Sequence, residues 1–181
     1  MTKLFAIAEY LSGEDIRSIR KKLSLTQKEF AELVNISVKT VERWETGDKP
    51  VTGPVVTLVK LLTENPQIPE MYRIATRPYP MRLWYMYGQE ICTVIDVDEG
   101  SRLVKIRNYT NRYQYRAFGR EEYPTFEQYE EFLESRCFPR SRDKIKWELR
   151  ELDVPFYDPL LIIEKTEGRM AEDDFWIRIE R

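Results

Sequence analysis

Histidine is absent from the 181 residues. That removes His-based triads, His general bases and His metal ligands from consideration. Cysteine is scarce: Cys92 and Cys137 lie far apart, with no motif around either. They read as buried reduced thiols in a cytosolic protein. No apolar run is long enough to span a membrane, so no membrane role is expected. The opening MTKLFAIAEYL is mildly apolar but has no sizeable basic leader and no small-residue cleavage site, and is not read as a signal peptide. Internal repeats and low-complexity tracts are missing as well. No charge of one sign dominates: the formal net charge is −2, so the chain as a whole is no obvious binder of polyanions. What is present, 42% apolar and 33% charged residues, is the mixture of an ordinary soluble globular protein of one domain or two small ones.

The charges are unevenly distributed. Residues 13–62 carry +2, residues 72–118 carry +4 and residues 119–181 carry −6. A basic front and an acidic back suggest different partners for the two ends.

The first third reads as four short helices. Ser12 with Asp15 is an N-terminal cap, and Ile16, Ile19 and Leu23 share the following helical face. TQKE at Thr26 to Glu29 is a capping box for a second helix that buries Phe30, Leu33 and Val34. Ser37 caps a third, which buries Val41 and Trp44 and stops at Gly47. Lys39 and Arg43 lie four apart on another face of that helix. Gly53-Pro54 opens a fourth, with Pro at its first position. Two short helices joined by a tight turn, the second with an outward basic face, describe a helix-turn-helix.

The stretch IRKKLSLTQKEFAELVNISVKTVERWETGDKPVTGPVVTLVKLL resembles the Xre/Cro family, most of all the DNA-binding domains of MqsA- and HigA-type antitoxins. The resemblance rests on LTQKEFA, SVKTVERWETG and GPVVTLVKLL, close together and in that order. It departs in one respect: the MqsA type carries a Cys-rich zinc domain, and this chain has nothing like it. The resemblance implies a DNA-reading set of Gln27, Ser37, Val38, Lys39, Thr40 and Arg43. In it the start of the third helix faces the major groove, and Gln27 holds a phosphate or reaches a base. Chemistry agrees, since Arg pairs with guanine O6 and N7 and Val38 suits a thymine methyl. Lys49, Thr52 and the Gly53-Pro54 helix start are expected to meet phosphates. For each cation the competing reading is a plain solvated face, and Val38 is equally readable as partly core. The resemblance also implies an internal ion pair between Arg20 and Glu45, and Trp44 is expected in the core.

From about Met81 the texture is strand-like. MRLWYMYG, EICTVIDVDEG, SRLVKIRNYT and YQYRAFG suggest an antiparallel meander. Three helices are expected next. One is capped by Thr125 and Gln128, one is capped by Ser141, and one has Asp158 as cap and Pro159 at its first position. EDDFWIRIER reads as a final strand. The expected fold is thus α+β: an all-α helix-turn-helix domain over residues 1–65, a Pro-containing connector over 66–80, and a small meander with about three helices over 81–181. Acids at Glu172 to Asp174 near Lys165 and Arg169 read as a turn more readily than as a nuclease site. Aromatics interleaved with Arg suit single-stranded nucleic acid, or else a sheet whose aromatics pack on the helices while Arg faces water. The tail from Arg136 to Arg181 resembles uncharacterised bacterial proteins associated with operons of Hip-type toxin kinases. That resemblance implies a setting and no activity.

These readings lead to a cytoplasmic, non-enzymatic, sequence-specific DNA-binding regulator of antitoxin type without a cofactor. It is expected to bind double-stranded DNA as a homodimer on an inverted-repeat operator, and to hold the toxin protein of the same operon through its C-terminal domain. Two alternatives remain. One is a helix-turn-helix regulator whose C-terminal domain senses a small molecule or binds nucleic acid; the other is an enzyme delivered to DNA.

Overall fold

The computed structural model describes residues 4–181; Met1 to Lys3 of the opening stretch lie outside the described residues. The chain divides into two compact units, the first ending at Arg73 and the second running Ile74–Arg181.

The first unit is all helical: α1 (Gly13–Lys22), α2 (Gln27–Leu33), α3 (Val38–Thr46), α4 (Pro54–Glu64) and α5 (Ile68–Tyr72). Short polar signals set each start. The Ser12 and Thr26 hydroxyls accept from the backbone N–H of Asp15 and Glu29, and those acids accept from the cap residues in return. Ser37 accepts from the Thr40 N–H. Each cap satisfies N–H groups that a helix start leaves without partners. Ile16, Ile19, Phe30, Ala31, Val41, Val51 and Val59 form the core. A short antiparallel bridge between Leu11 and Val51 closes the segment before α1 onto the loop after α3. Prolines were expected to interrupt any element in the 66–80 stretch. Instead Pro69 sits in the first turn of α5, where its missing N–H would have had no helical partner anyway.

The second unit is a four-stranded antiparallel sheet with helices on one face. β1 (Met81–Tyr87), β2 (Glu90–Asp98) and β3 (Leu103–Asn108) form the meander. β4 (Phe175–Glu180), the last element of the chain, adds to the free edge of β1, giving the order β3-β2-β1-β4. The helices α6 (Phe126–Ser135), α7 (Ile145–Glu151) and α8 (Pro159–Thr166) supply Tyr129, Phe132, Leu149, Ile162 and Ile163, which pack against Leu83, Tyr85, Ile95, Val97 and Ile177 of the strands. The fold is α+β, as expected.

Three local expectations fail. YQYRAFG is no strand: Tyr113–Tyr115 is a single 3-10 turn. It is held because the Thr93 hydroxyl accepts from the Ala117 N–H and because the Tyr115 ring stacks on Tyr87 at 4.6 Å. Ser141 caps nothing. α7 starts at Ile145, and Lys144 before it adopts a left-handed conformation (φ 65°) that turns the chain into the helix. The sheet aromatics do not all face the helices. Tyr85, Tyr87 and Phe175 do, whereas Trp84, Tyr109 and Trp176 gather with Met86 and Val94 on the opposite face. There Arg178 lies 4.7 Å over Trp84 and Arg169 lies 5.1 Å over Trp176. Guanidinium planes favour such aromatic faces, so these arginines are stacked rather than simply hydrated.

Candidate nucleic-acid interface

α3 divides its nine residues between two environments. Val41 is fully buried, Glu45 nearly so, and Trp44 is half-buried against the core rather than within it. Val38, Lys39, Glu42, Arg43 and Thr46 are exposed. Val38 is 37% exposed, which decides against a core role for it. Among the described residues neither Lys39 nor Arg43 has a hydrogen-bond or ion-pair partner, so both cations extend from the helix uncommitted. Glu42 occupies the same face, an acid that a reading of the cations alone passes over. Its carboxylate suits a cytosine amino group and repels phosphate.

The helix is held by a buried polar network beneath it. Arg20 of α1 grips Glu45 with two bonds, Nε to Oε1 at 2.6 Å and Nη2 to Oε2 at 2.9 Å, and donates a third to the Leu25 carbonyl at 2.9 Å. The expected Arg20–Glu45 pair is therefore present, and the Arg20 bond holds the Glu45 carboxyl below its usual range although burial opposes it. Arg17 donates to the Glu45 carbonyl at 2.7 Å, which satisfies an oxygen in the last turn of α3. Gly13 completes the contact: a Cβ there would lie 2.2 Å from the Trp44 carbonyl oxygen, so only glycine permits this approach of α1 to α3.

The sequence-predicted residues fall into three groups. Ser37, Val38, Lys39, Thr40 and Arg43 come together on α3, with the Ser37 and Thr40 hydroxyls 2.9 Å apart. Lys49 and Thr52 are exposed in the loop leading to α4, whose N-terminus has no side-chain cap. Gln27 stands apart: its amide donates to Glu45 Oε2 at 3.0 Å, so it joins the internal network. Sequence reasoning missed Arg17, Gly13 and Glu42, and also Arg73, which donates to Glu29 at 2.7 Å and ties α5 to the start of α2. A glycine at a helix start was the visible signal for Gly13; the others had none.

Alternative chemistries find little support. Burial pushes the Cys92 and Cys137 thiols up to about 11 and about 12, the reverse of an activated nucleophile. Asp173, of the acidic run before β4, is bound by Arg136 at 2.7 and 3.0 Å and acts as an internal anchor. Among the described residues no helix is long and apolar enough to cross a membrane.

Residues 16–59, from α1 into α4, match the helix-turn-helix family. Over 57 residues the chain is 37% identical to antitoxin HigA-2 of Vibrio cholerae serotype O1, covering 32% of this chain and 55% of that protein. Over 61 residues it is 36% identical to antitoxin MqsA of Escherichia coli K12, covering 34% of this chain and 47% of the relative. The chain thus spans about half the length of the curated relatives it matches. Its first unit contains a helix-turn-helix domain similar to those of antitoxins.

Proposed function

We propose that this chain is a sequence-specific DNA-binding regulator of antitoxin type, with α3 as the recognition helix. The observation that carries the reading is the uncommitted Lys39 and Arg43 on a helix whose inner face is fixed by Glu45, Arg20 and Gln27. A rigid support suits base reading, because a guanidinium aimed at guanine loses less freedom on binding when its helix is already held. Ser37, Val38, Thr40 and Arg43 face base edges. Lys49, Thr52 and the uncapped start of α4 meet phosphates. Gln27 supports α3 from behind through Glu45, and its remaining N–H is free to point toward a phosphate.

The protein acts in the cytoplasm as a homodimer on an inverted repeat, because a single module of this kind buries little DNA surface and two-fold pairing sets recognition helices about 34 Å apart. The second unit carries the toxin of the same operon, and regulation of the protein's own promoter follows from the same arrangement. The −6 on residues 119–181 supports this division, since such a surface repels phosphates. Trp147 and Phe156, 59% and 60% exposed, are the aromatic anchors for that partner. The adjacent Tyr157 is occupied internally: its hydroxyl donates to the Phe138 carbonyl at 2.8 Å. The reading assigns the protein no catalytic role. Footprinting on the promoter upstream of the gene tests it, with two related half-sites expected; protection of one undivided site by a monomer sinks the dimer.

A further inference from the structure

A pocket of about 480 Å³ opens in the second unit, in the size range of small-ligand sites. Acids from three elements line it: Glu99 from the turn after β2, Glu127, Glu130, Glu131 and Glu134 from α6, and Asp158 at the cap of α8, with Arg140 as a lining cation. Phe126, Leu133 and Leu160 supply apolar wall between them. Three of the α6 acids are already met by cations. Arg102 binds Glu127 at 2.9 Å and reaches Glu130 at 3.3 Å, and Arg140 binds Glu134. Glu99 is different: among the described residues no cation or hydrogen-bond donor meets its carboxylate. Asp158 gives one oxygen to the Leu161 N–H at 3.0 Å and keeps the other.

A second observation points into the same space. Tyr129 is wholly buried, and its hydroxyl has no partner among the described residues. A buried polar group without a hydrogen bond is destabilising, so such a group asks for an explanation. Tyr129 is among the residues that line the pocket. After burial itself, Glu99, Asp158 and Glu130 are the groups that most disfavour its ionisation. The same crowding works on Glu99: burial first, then Asp158, Glu130 and Glu164, raise its carboxyl above the usual range, with Arg181 opposing.

Uncompensated acids call for a cation. A bare metal ion does not fit, because among the described residues no three His, Cys, Asp or Glu side chains converge closely enough to hold one. An extended cation meets spaced carboxylates without requiring convergence, and its carbon chain covers apolar wall. We propose that this pocket binds an aliphatic amine, with primary ammonium groups received by Glu99 and Asp158, a methylene chain against Phe126 and Leu160, and a further N–H donated to the Tyr129 oxygen. The amine comes either from a free diamine or from a lysine side chain of a protein partner. The inference does not depend on DNA reading, and its failure leaves that reading untouched.

Calorimetric titration of the full-length protein with 1,5-diaminopentane, and separately with Nα-acetyl-lysine amide, tests it. Saturable binding is expected, weakened about tenfold by Glu99→Gln, the scale of one lost charge-assisted bond. Tyr129→Phe is expected to keep or raise the thermal midpoint, because it removes an orphan hydroxyl, and yet to weaken the amine. That combination distinguishes a ligand contact from a structural role. Tighter binding of the diamine assigns a free small molecule; equal or tighter binding of the lysine derivative assigns a protein side chain. No saturable binding of either probe, or wild-type affinity in both variants, overturns the proposal.

Discussion

Lys39 and Arg43 stand one helical turn apart on α3, and their chemistry separates them. If Arg43 takes guanine O6 and N7, Arg43→Ala costs about 1–3 kcal/mol and relaxes preference at one base position. If Lys39 mainly meets phosphate, Lys39→Ala weakens all sequences alike and makes the salt slope shallower by about one. Titration of operator and mutated-operator duplexes across salt concentrations checks both. Equal, sequence-blind losses would mean that neither residue reads a base. Beneath them, Glu45→Ala leaves the half-buried Arg20 without its partner and should cost about 1–3 kcal/mol, read as a lower denaturation midpoint of the first unit. Gly13→Ala forces a methyl against the Trp44 carbonyl and should cost about 1–3 kcal/mol by the same measurement.

Helix starts dominate at the scale of elements. α1, α2 and α6 each begin with a reciprocal capping box. In α2 the Glu29 carboxylate does more than cap, because it also receives Arg73 of the segment after α5. The Arg73 bond, then the Thr26 N–H and hydroxyl, hold its carboxyl down at about 2. A carboxyl depressed in the folded state contributes stability that is complete above its unfolded value near 4.5 and is lost as pH falls toward 2. The midpoint of the first unit should therefore drop across that window, and Glu29→Gln should flatten the drop. A drop of the same size in the variant would assign the acid sensitivity elsewhere, with Glu45 and Asp15, both also lowered, next in line.

For the whole molecule, the expected outcome is a division of labour. The second unit includes part of the Pro-containing stretch. Ala75 donates its N–H to the Tyr109 hydroxyl at 3.0 Å, and its carbonyl accepts from Arg82 at 2.9 Å. A cut after Arg73 therefore respects both units, whereas a cut at Pro80 would strip backbone partners from Arg82 and Tyr109. A fragment ending at Arg73 should shift operator DNA in a gel, more weakly if the second unit supplies the dimer contact. A fragment starting at Ile74 should retain the protein partner in a pull-down and leave DNA unshifted. Operator binding by the second fragment alone would overturn this division.

What the sequence by itself determined is local. Caps, apolar spacing and proline positions lie within a few residues of the elements they govern, so α1 to α4, α6, α8 and the strands β1 to β4 were legible. The exposed face of α3 was legible too, because Val38, Lys39 and Arg43 belong to one short helix capped by Ser37, whose outward side follows from the spacing of Val41 and Trp44. Tertiary structure decided what depends on partners distant in the chain. Gln27 turned inward because Glu45, 18 residues on, offered a buried charge to satisfy. YQYRAFG left the strand menu because the Thr93 hydroxyl and the Tyr87 ring drew it into a turn. Trp84 and Trp176 went to the face opposite the helices because alternation sets only that neighbours point apart, while the helices decide which side is covered. The acid pocket around Tyr129 gathers its walls from Glu99 to Leu160, and only folding could bring them together.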